Sequence, residues 1–166
     1  MFFWFVGLSV VIVWQVFRDT AVDYRLVMAG AMAPDAVDVA FGGAGPLHTL
    51  AASVGLLVVV MVATRGRRGL RRRLLALPIG TFLHLVLDAM WARTEVFWWP
   101  GFGLGFDGGG LPSLSRPAAL LALQELGGVA ALVWWWGRFR LSESARRRAF
   151  ARTGRLGRDL GDSPSG

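Results

Sequence analysis

The sequence predicts an all-α integral membrane protein with about four transmembrane helices, one short amphipathic helix and a polar cluster facing outward. Three observations carry this expectation. The 166 residues are 54% hydrophobic, with a mean hydropathy of +0.49 and with eight Trp and eleven Phe against one Tyr, a composition of membrane proteins. The apolar residues gather in four runs, 1–17, 47–63, 74–91 and 117–136, each near the ~20 residues that cross a hydrocarbon core about 30 Å thick. The arginines collect in two blocks that two of these runs separate.

The first run, MFFWFVGLSVVIVWQVF, lacks the basic start of a signal peptide. The A-x-A-like triplet Ala31-Met32-Ala33 lies too far beyond it for ordinary cleavage, so the run reads as a retained helix. AVDYRLVMAGAMAPD follows as the amphipathic helix, ended by Pro34, because proline cannot supply an interior helix donor. The Gly-rich FGGAGP leads into the second run. The third run closes with GTFLHLVLDAMW, and the connection after it carries Gly103-Leu-Gly105-Phe-Asp-Gly108. That spacing matches a dinucleotide loop, but no strand precedes it, so it reads as a flexible outer loop over the site. The fourth run holds Gln124 and Glu125 about 12 Å inside its start. Trp98 and Trp99 at one interface, and Trp134, Trp135 and Trp136 at the other, read as aromatic anchors.

Orientation follows from charge. Arg65, Arg67, Arg68, Arg71, Arg72 and Arg73 join runs two and three, and eight further arginines follow run four. The positive-inside rule puts both blocks in the cytoplasm. The connections 18–46 and 92–116 then face outward, both termini are cytoplasmic, and the chain is a multi-pass plasma-membrane protein. It divides into a membrane domain, 1–137, and a basic tail, 138–166, disordered beyond Arg148 given its Gly, Ser and Pro. Membrane lipids are the expected partners of the arginines. A membrane-protein partner or a second copy is compatible with the helices, and nucleic acid is not expected, because no nucleic-acid fold signature accompanies the charge.

This topology collects Asp35, Asp38, His48, His84 and Asp88 at the outer interface. With no Cys in the chain, a metal site has only His and carboxylate to draw on, and these five suffice for a Zn²⁺-type site of three or four ligands. His84 and Asp88, four residues apart, share a helix face. The pair reads equally as two residues that satisfy each other or a nearby backbone. Glu125, a carboxylate inside a membrane helix, is a catalytic candidate, or a protonated acid bonded to Gln124 or a neighbouring helix.

APDAVD, GPLHTL, PIGTFLHLVLDAMW and FWWPGFG, in that order, resemble the YdjM-type family of membrane-bound metal-dependent hydrolases. Pro34, Asp35 and Asp38 resemble its P-D-x-D element, and His48 and Thr49 the end of its H-R-G-x-T-H-S element. Gly80, His84 and Asp88 resemble its G-Y-x-x-H-x-x-x-D element, with Trp99 and Pro100 after it. The likeness covers residues 20–102. Gly43 and Ala44 stand where the family has its first histidine and arginine, and 91–94 read WART in place of T-P-x-G. The resemblance implies a divalent metal, Zn²⁺ first, on His48, His84, Asp88 and Asp35 or Asp38, with a further carboxylate as base. It implies hydrolysis of a lipid or phosphoester substrate. The departures keep a second class open: a non-catalytic membrane scaffold with a degenerate or structural metal site.

Overall fold

The computed structural model describes residues 1–103 and 116–157, so the Gly103 to Gly108 motif beyond its first residue and the last nine residues lie outside the described part. The described residues are all-helical: α1 (Phe2–Phe17), α2 (Tyr24–Asp38), α3 (Leu50–Ala63), α4 (Arg68–Leu74), α5 (Ala76–Leu87), α6 (Thr94–Phe97), α7 (Ala118–Arg138) and α8 (Ser144–Thr153). Each apolar run yields a helix, with ends set by local chemistry. Thr49 starts α3, its hydroxyl accepting the Ala52 N–H at 2.9 Å, as an N-cap does. The Arg-rich connection is itself helical from Arg68, and only Leu75, still in right-handed helical conformation, separates α4 from α5.

α2 departs from the sequence expectation by continuing through Pro34 to Asp38. A proline inside a helix orphans the carbonyl four residues back, here that of Gly30. The Thr81 hydroxyl of α5 donates to that carbonyl at 3.3 Å, so the missing bond is replaced from a neighbouring helix. α5, in turn, stops at Leu87 rather than reaching Trp91. Asp88 caps it, and Ala89 adopts the left-handed conformation with φ 55°.

Among the described residues, only α7, 21 residues with one tenth of its apolar window buried, is long and apolar enough to cross a bilayer by itself. The expected four such spans are not found among the described residues, because α1 and α3 have 16 and 14 residues. The bundle nonetheless has two clear ends. At one, Met1, Glu125, Asp88 and Arg116 meet. At the other, Arg72 reaches Asp19 at 2.7 Å and Arg73 reaches Asp23 at 2.9 Å, while Tyr24 N–H donates to the Gly154 carbonyl and Leu156 N–H to that of Thr20. Burial pushes the Asp23 carboxyl up, and the Arg25 and Arg73 guanidiniums outweigh it, holding it below its ordinary value. Residues 18–24 therefore lie at the arginine end, and α2 returns to the other. The expectation that all of 18–46 lies opposite the arginines is corrected.

Two glycine crossings bring helices together. A Cβ on Gly7 would sit 2.2 Å from the Gly128 carbonyl oxygen of α7, and one on Gly30 the same distance from that of Leu77 in α5. Small residues at such crossings let backbones touch, the packing mode of helices in lipid. Val10, Val13 and Trp14 of α1 pack with Tyr24, Val27, Trp135 and Phe139 in a core near the arginine end. Residues 139–157 belong to that core: Leu141 and Leu156 are buried, and the Phe150 ring lies 5.5 Å from Trp135. Within 149–157, Phe150 and Leu156 are the residues that pack against it. Trp135 is a core residue, leaving Trp134 and Trp136 exposed. The outer faces are apolar, with Val58, Val59 and Val62 of α3 and Leu123, Leu126 and Val133 of α7 exposed, while Ser9, Asp38, His48, Thr81 and His84 are buried.

Candidate metal centre

Three elements carry the centre: α2, the 3-10 turn Pro46–His48 that precedes α3, and α5. The turn is shaped around Asp38. Its carboxylate accepts N–H bonds from Gly45 at 3.0 Å, Leu47 at 3.3 Å and His48 at 3.1 Å, and it takes a fourth contact from His48 Nδ1 at 2.7 Å. A carboxylate only accepts, so Nδ1 carries the proton and Nε2 presents its lone pair. His84 obeys the same logic. Its Nδ1 lies 2.7 Å from the Ala31 carbonyl oxygen, also an acceptor only, so its Nε2 is likewise a lone pair.

Those two lone pairs point at each other. His48 Nε2 and His84 Nε2 are 3.3 Å apart, and Asp35 Oδ1 lies 3.4 Å from the first and 3.5 Å from the second. Both imidazoles are fully buried. Asp35 Oδ1 is buried and has no hydrogen-bond partner. Three acceptors facing one point with no donor among them repel, and an orphaned buried oxygen is costly. A cation at their centre removes the conflict. The spacing fits one: with metal–ligand bonds of 2.0–2.1 Å, the edge of a tetrahedron is about 3.3–3.4 Å. Asp35, His48 and His84 can together hold a metal ion. Asp38 and the Ala31 carbonyl supply the outer hydrogen bonds that fix each ring and its tautomer.

The charges suit that task. Burial pushes His48 down, while Asp35 and Asp38 push it up more strongly. The Phe5 ring of α1 lies against His84, centroids 4.0 Å apart, and closes that side with an apolar wall.

Not every expected residue joins. Asp88 stands outside the ligand triangle, although its N–H still makes the helical bond to the His84 carbonyl at 2.9 Å. Arg116 holds it instead: Nη2 donates to the Asp88 carbonyl at 2.8 Å and lies 3.0 Å from Oδ1. That ion pair is not a well-directed hydrogen bond, and both Asp88 carboxyl oxygens lack hydrogen-bond partners. Burial raises the Asp88 carboxyl above its ordinary value, more than His84 and Arg116 lower it. Asp38 supports a ligand rather than being one. Glu125 meets the start of α1: Oε2 accepts the Phe3 N–H at 2.8 Å and Oε1 lies 3.4 Å from the Met1 amine, where it satisfies the donors there. It bonds across to α1, one of the two structural readings open from sequence. Ala44, standing where the resembled pattern has arginine, is buried against Leu85, Met90 and Phe97. Sequence reasoning missed Arg116, Phe5 and the Ala31 carbonyl. Arg116 carried a signal, as a lone arginine immediately before an apolar run, whereas a backbone carbonyl carries none.

Comparisons with protein-family models, with characterised proteins and with solved structures give no match.

Proposed function

We propose that the chain is a multi-pass membrane protein with a Zn²⁺-type centre on Asp35, His48 and His84, acting as a metal-dependent hydrolase on a lipid or phosphoester at the outer interface. The observation that carries this reading is the triangle of three acceptor atoms, 3.3–3.5 Å on a side, with no donor inside it. A divalent ion there supplies Lewis-acid polarisation of a phosphoryl or carbonyl oxygen and makes water nucleophilic at neutral pH. The protein's own residues do the rest. His48 and His84 keep their rings fixed through Asp38 and Ala31. Asp88, a buried carboxyl whose affinity for protons burial raises, moves the proton as general base and acid. Arg116 beside it neutralises an anionic oxygen.

The resemblance to the YdjM-type family supports the same residues, with Asp88 in the base role rather than as ligand. Apolar outer faces on α1, α3 and α7 support immersion of the whole bundle, α1, α2, α3, α4 with α5, and α7 each running between the two ends. With the arginine end in the cytoplasm, the metal centre and Met1 lie outside. A short helix spans a locally thinned bilayer at modest cost.

The test is turnover. Purified protein in detergent, given zinc and a fluorogenic phosphodiester or phosphomonoester lipid analogue, is expected to hydrolyse it. Activity should vanish with a chelator, return with zinc and fall at least 100-fold in Asp88→Asn with metal still bound. A second reading, a structural metal that ties α2 to α5, is favoured by the full burial of both imidazoles. Stoichiometric zinc with no turnover on any of these analogues would decide for it.

A further inference from the structure

The side of the bundle holds a cavity of about 360 Å³ between α1, α3 and α5, within the size range of small-ligand sites. Its walls are apolar: Val13 and Val16 from α1, Leu50 and Leu57 from α3, Phe82 and Leu83 from α5. Val16, Leu57 and Phe82 are also exposed at the surface, so the cavity opens sideways, where the proposed immersion puts lipid. It runs lengthwise, from Leu50 near the metal centre towards Val16 near the arginine end. Two of its lining residues are close in sequence to the centre: Leu83 precedes the ligand His84, and Leu50 follows His48 by two residues.

One polar side chain interrupts the lining. Ser53, one turn into α3, is buried, and its hydroxyl has no hydrogen-bond partner. A serine in a membrane helix ordinarily bonds the carbonyl of the preceding turn. Here that carbonyl, of Thr49, receives the Ser53 N–H at 3.4 Å and the hydroxyl is left over. An unpartnered donor at the upper part of an otherwise apolar slot fits a ligand that is apolar along its length and carries an acceptor near its head. Water does not fit the slot below Ser53, where no polar group would hold it.

We infer that this slot binds one acyl chain of a bilayer lipid whose ester carbonyl accepts the Ser53 hydroxyl and whose headgroup reaches the Asp35, His48 and His84 centre. The inference rests on the hydrolase reading for what happens to the headgroup, and it makes that substrate a lipid rather than a free phosphoester.

The experiment uses the full chain in nanodiscs of phosphatidylcholine and phosphatidylglycerol containing a phosphatidylglycerol with a diazirine near its acyl terminus. After illumination, crosslinked residues are mapped by mass spectrometry, with zinc content measured on the same sample. Crosslinks concentrated on the α1, α3 and α5 lining are expected. They should fall at least tenfold in Leu57→Trp and, independently, in Val16→Trp, both partly exposed positions where the indole fills the slot and the bundle stays folded, as unchanged zinc content and helicity would show. Crosslinks spread evenly over the exposed faces, α7 residues Leu123 and Val133 included, and insensitive to both substitutions would overturn the inference. Zinc-free protein that keeps slot-specific, tryptophan-sensitive crosslinks would count against the metal reading and for the slot, so the two fail separately.

Discussion

Asp38 shows how much of the site rests on one side chain that is not itself a ligand. It orders three backbone N–H groups and sets the His48 tautomer. Such outer partners are worth 10–100-fold in metal affinity, so Asp38→Asn is expected to weaken zinc binding by about that factor in competition with a chromogenic chelator, while Glu125→Gln leaves it unchanged. Acid acts on the same residue. Metal and proton compete for His48 Nε2, and because Asp35 and Asp38 raise His48 above the ordinary histidine value, zinc affinity should decline at a higher pH on acidification than an unperturbed histidine would give. In Asp38→Asn the His48 value drops, and the decline should move to lower pH. A decline at the same pH in both proteins would separate His48 from the metal. The five residues were legible from sequence as a polar set on one side of the bundle. Their roles were not, because the split between ligand and support turns on which carboxylate reaches Nδ1 and which Nε2, a matter of angstroms that spacing does not encode.

At the scale of elements, the glycine crossings and the end of α5 govern the geometry. A Cβ on Gly128 would meet the Phe3 backbone at 2.1 Å, whereas one on its neighbour Gly127 would make ordinary contact with the Trp4 ring at 3.5 Å. Gly128→Ala should therefore cost about 1–3 kcal/mol by overpacking, and Gly127→Ala should be neutral or gain up to ~1 kcal/mol from helix propensity. Thermal unfolding in detergent reads both. Ala89, held at φ 55° directly after Asp88, carries the left-handed penalty of about 1–2 kcal/mol that glycine avoids, so Ala89→Gly is expected to raise stability by up to that amount. The helices themselves were readable from the apolar runs. The passage of α2 through Pro34 was not, since it depends on a hydroxyl 47 positions later, at Thr81. Nor was the early end of α5, because the four-residue spacing of His84 and Asp88 presumes a helix that continues.

For the whole molecule, the two arginine-bearing segments meet at one end of the bundle, and one helix among the described residues is long and apolar enough to span a membrane where four were expected. α2 resembles a surface helix in its mixed sequence, yet it links the two ends of the bundle, because its polar residues Asp35 and Asp38 face a buried site and Asp23 at its start meets Arg25 and Arg73. The distinction is measurable in intact cells. Cysteines placed singly at Ala21 and Gly66 should both resist a membrane-impermeant maleimide from outside, while one at Gly42 should react. Outside labelling at Ala21 would restore the four-span arrangement. In the basic tail, a single aromatic, Phe150, and one leucine, Leu156, pack against the core near the arginine end.

All of this converges on whether an ion sits among Asp35, His48 and His84. X-ray absorption at the zinc edge on protein carrying one equivalent of zinc answers that most directly. The structure predicts about four light-atom neighbours at 2.0–2.1 Å, with the outer-shell scattering of two imidazoles, reduced to one imidazole in His48→Ala and again in His84→Ala. An all-oxygen first shell without imidazole scattering, or a spectrum indifferent to both substitutions, would contradict it.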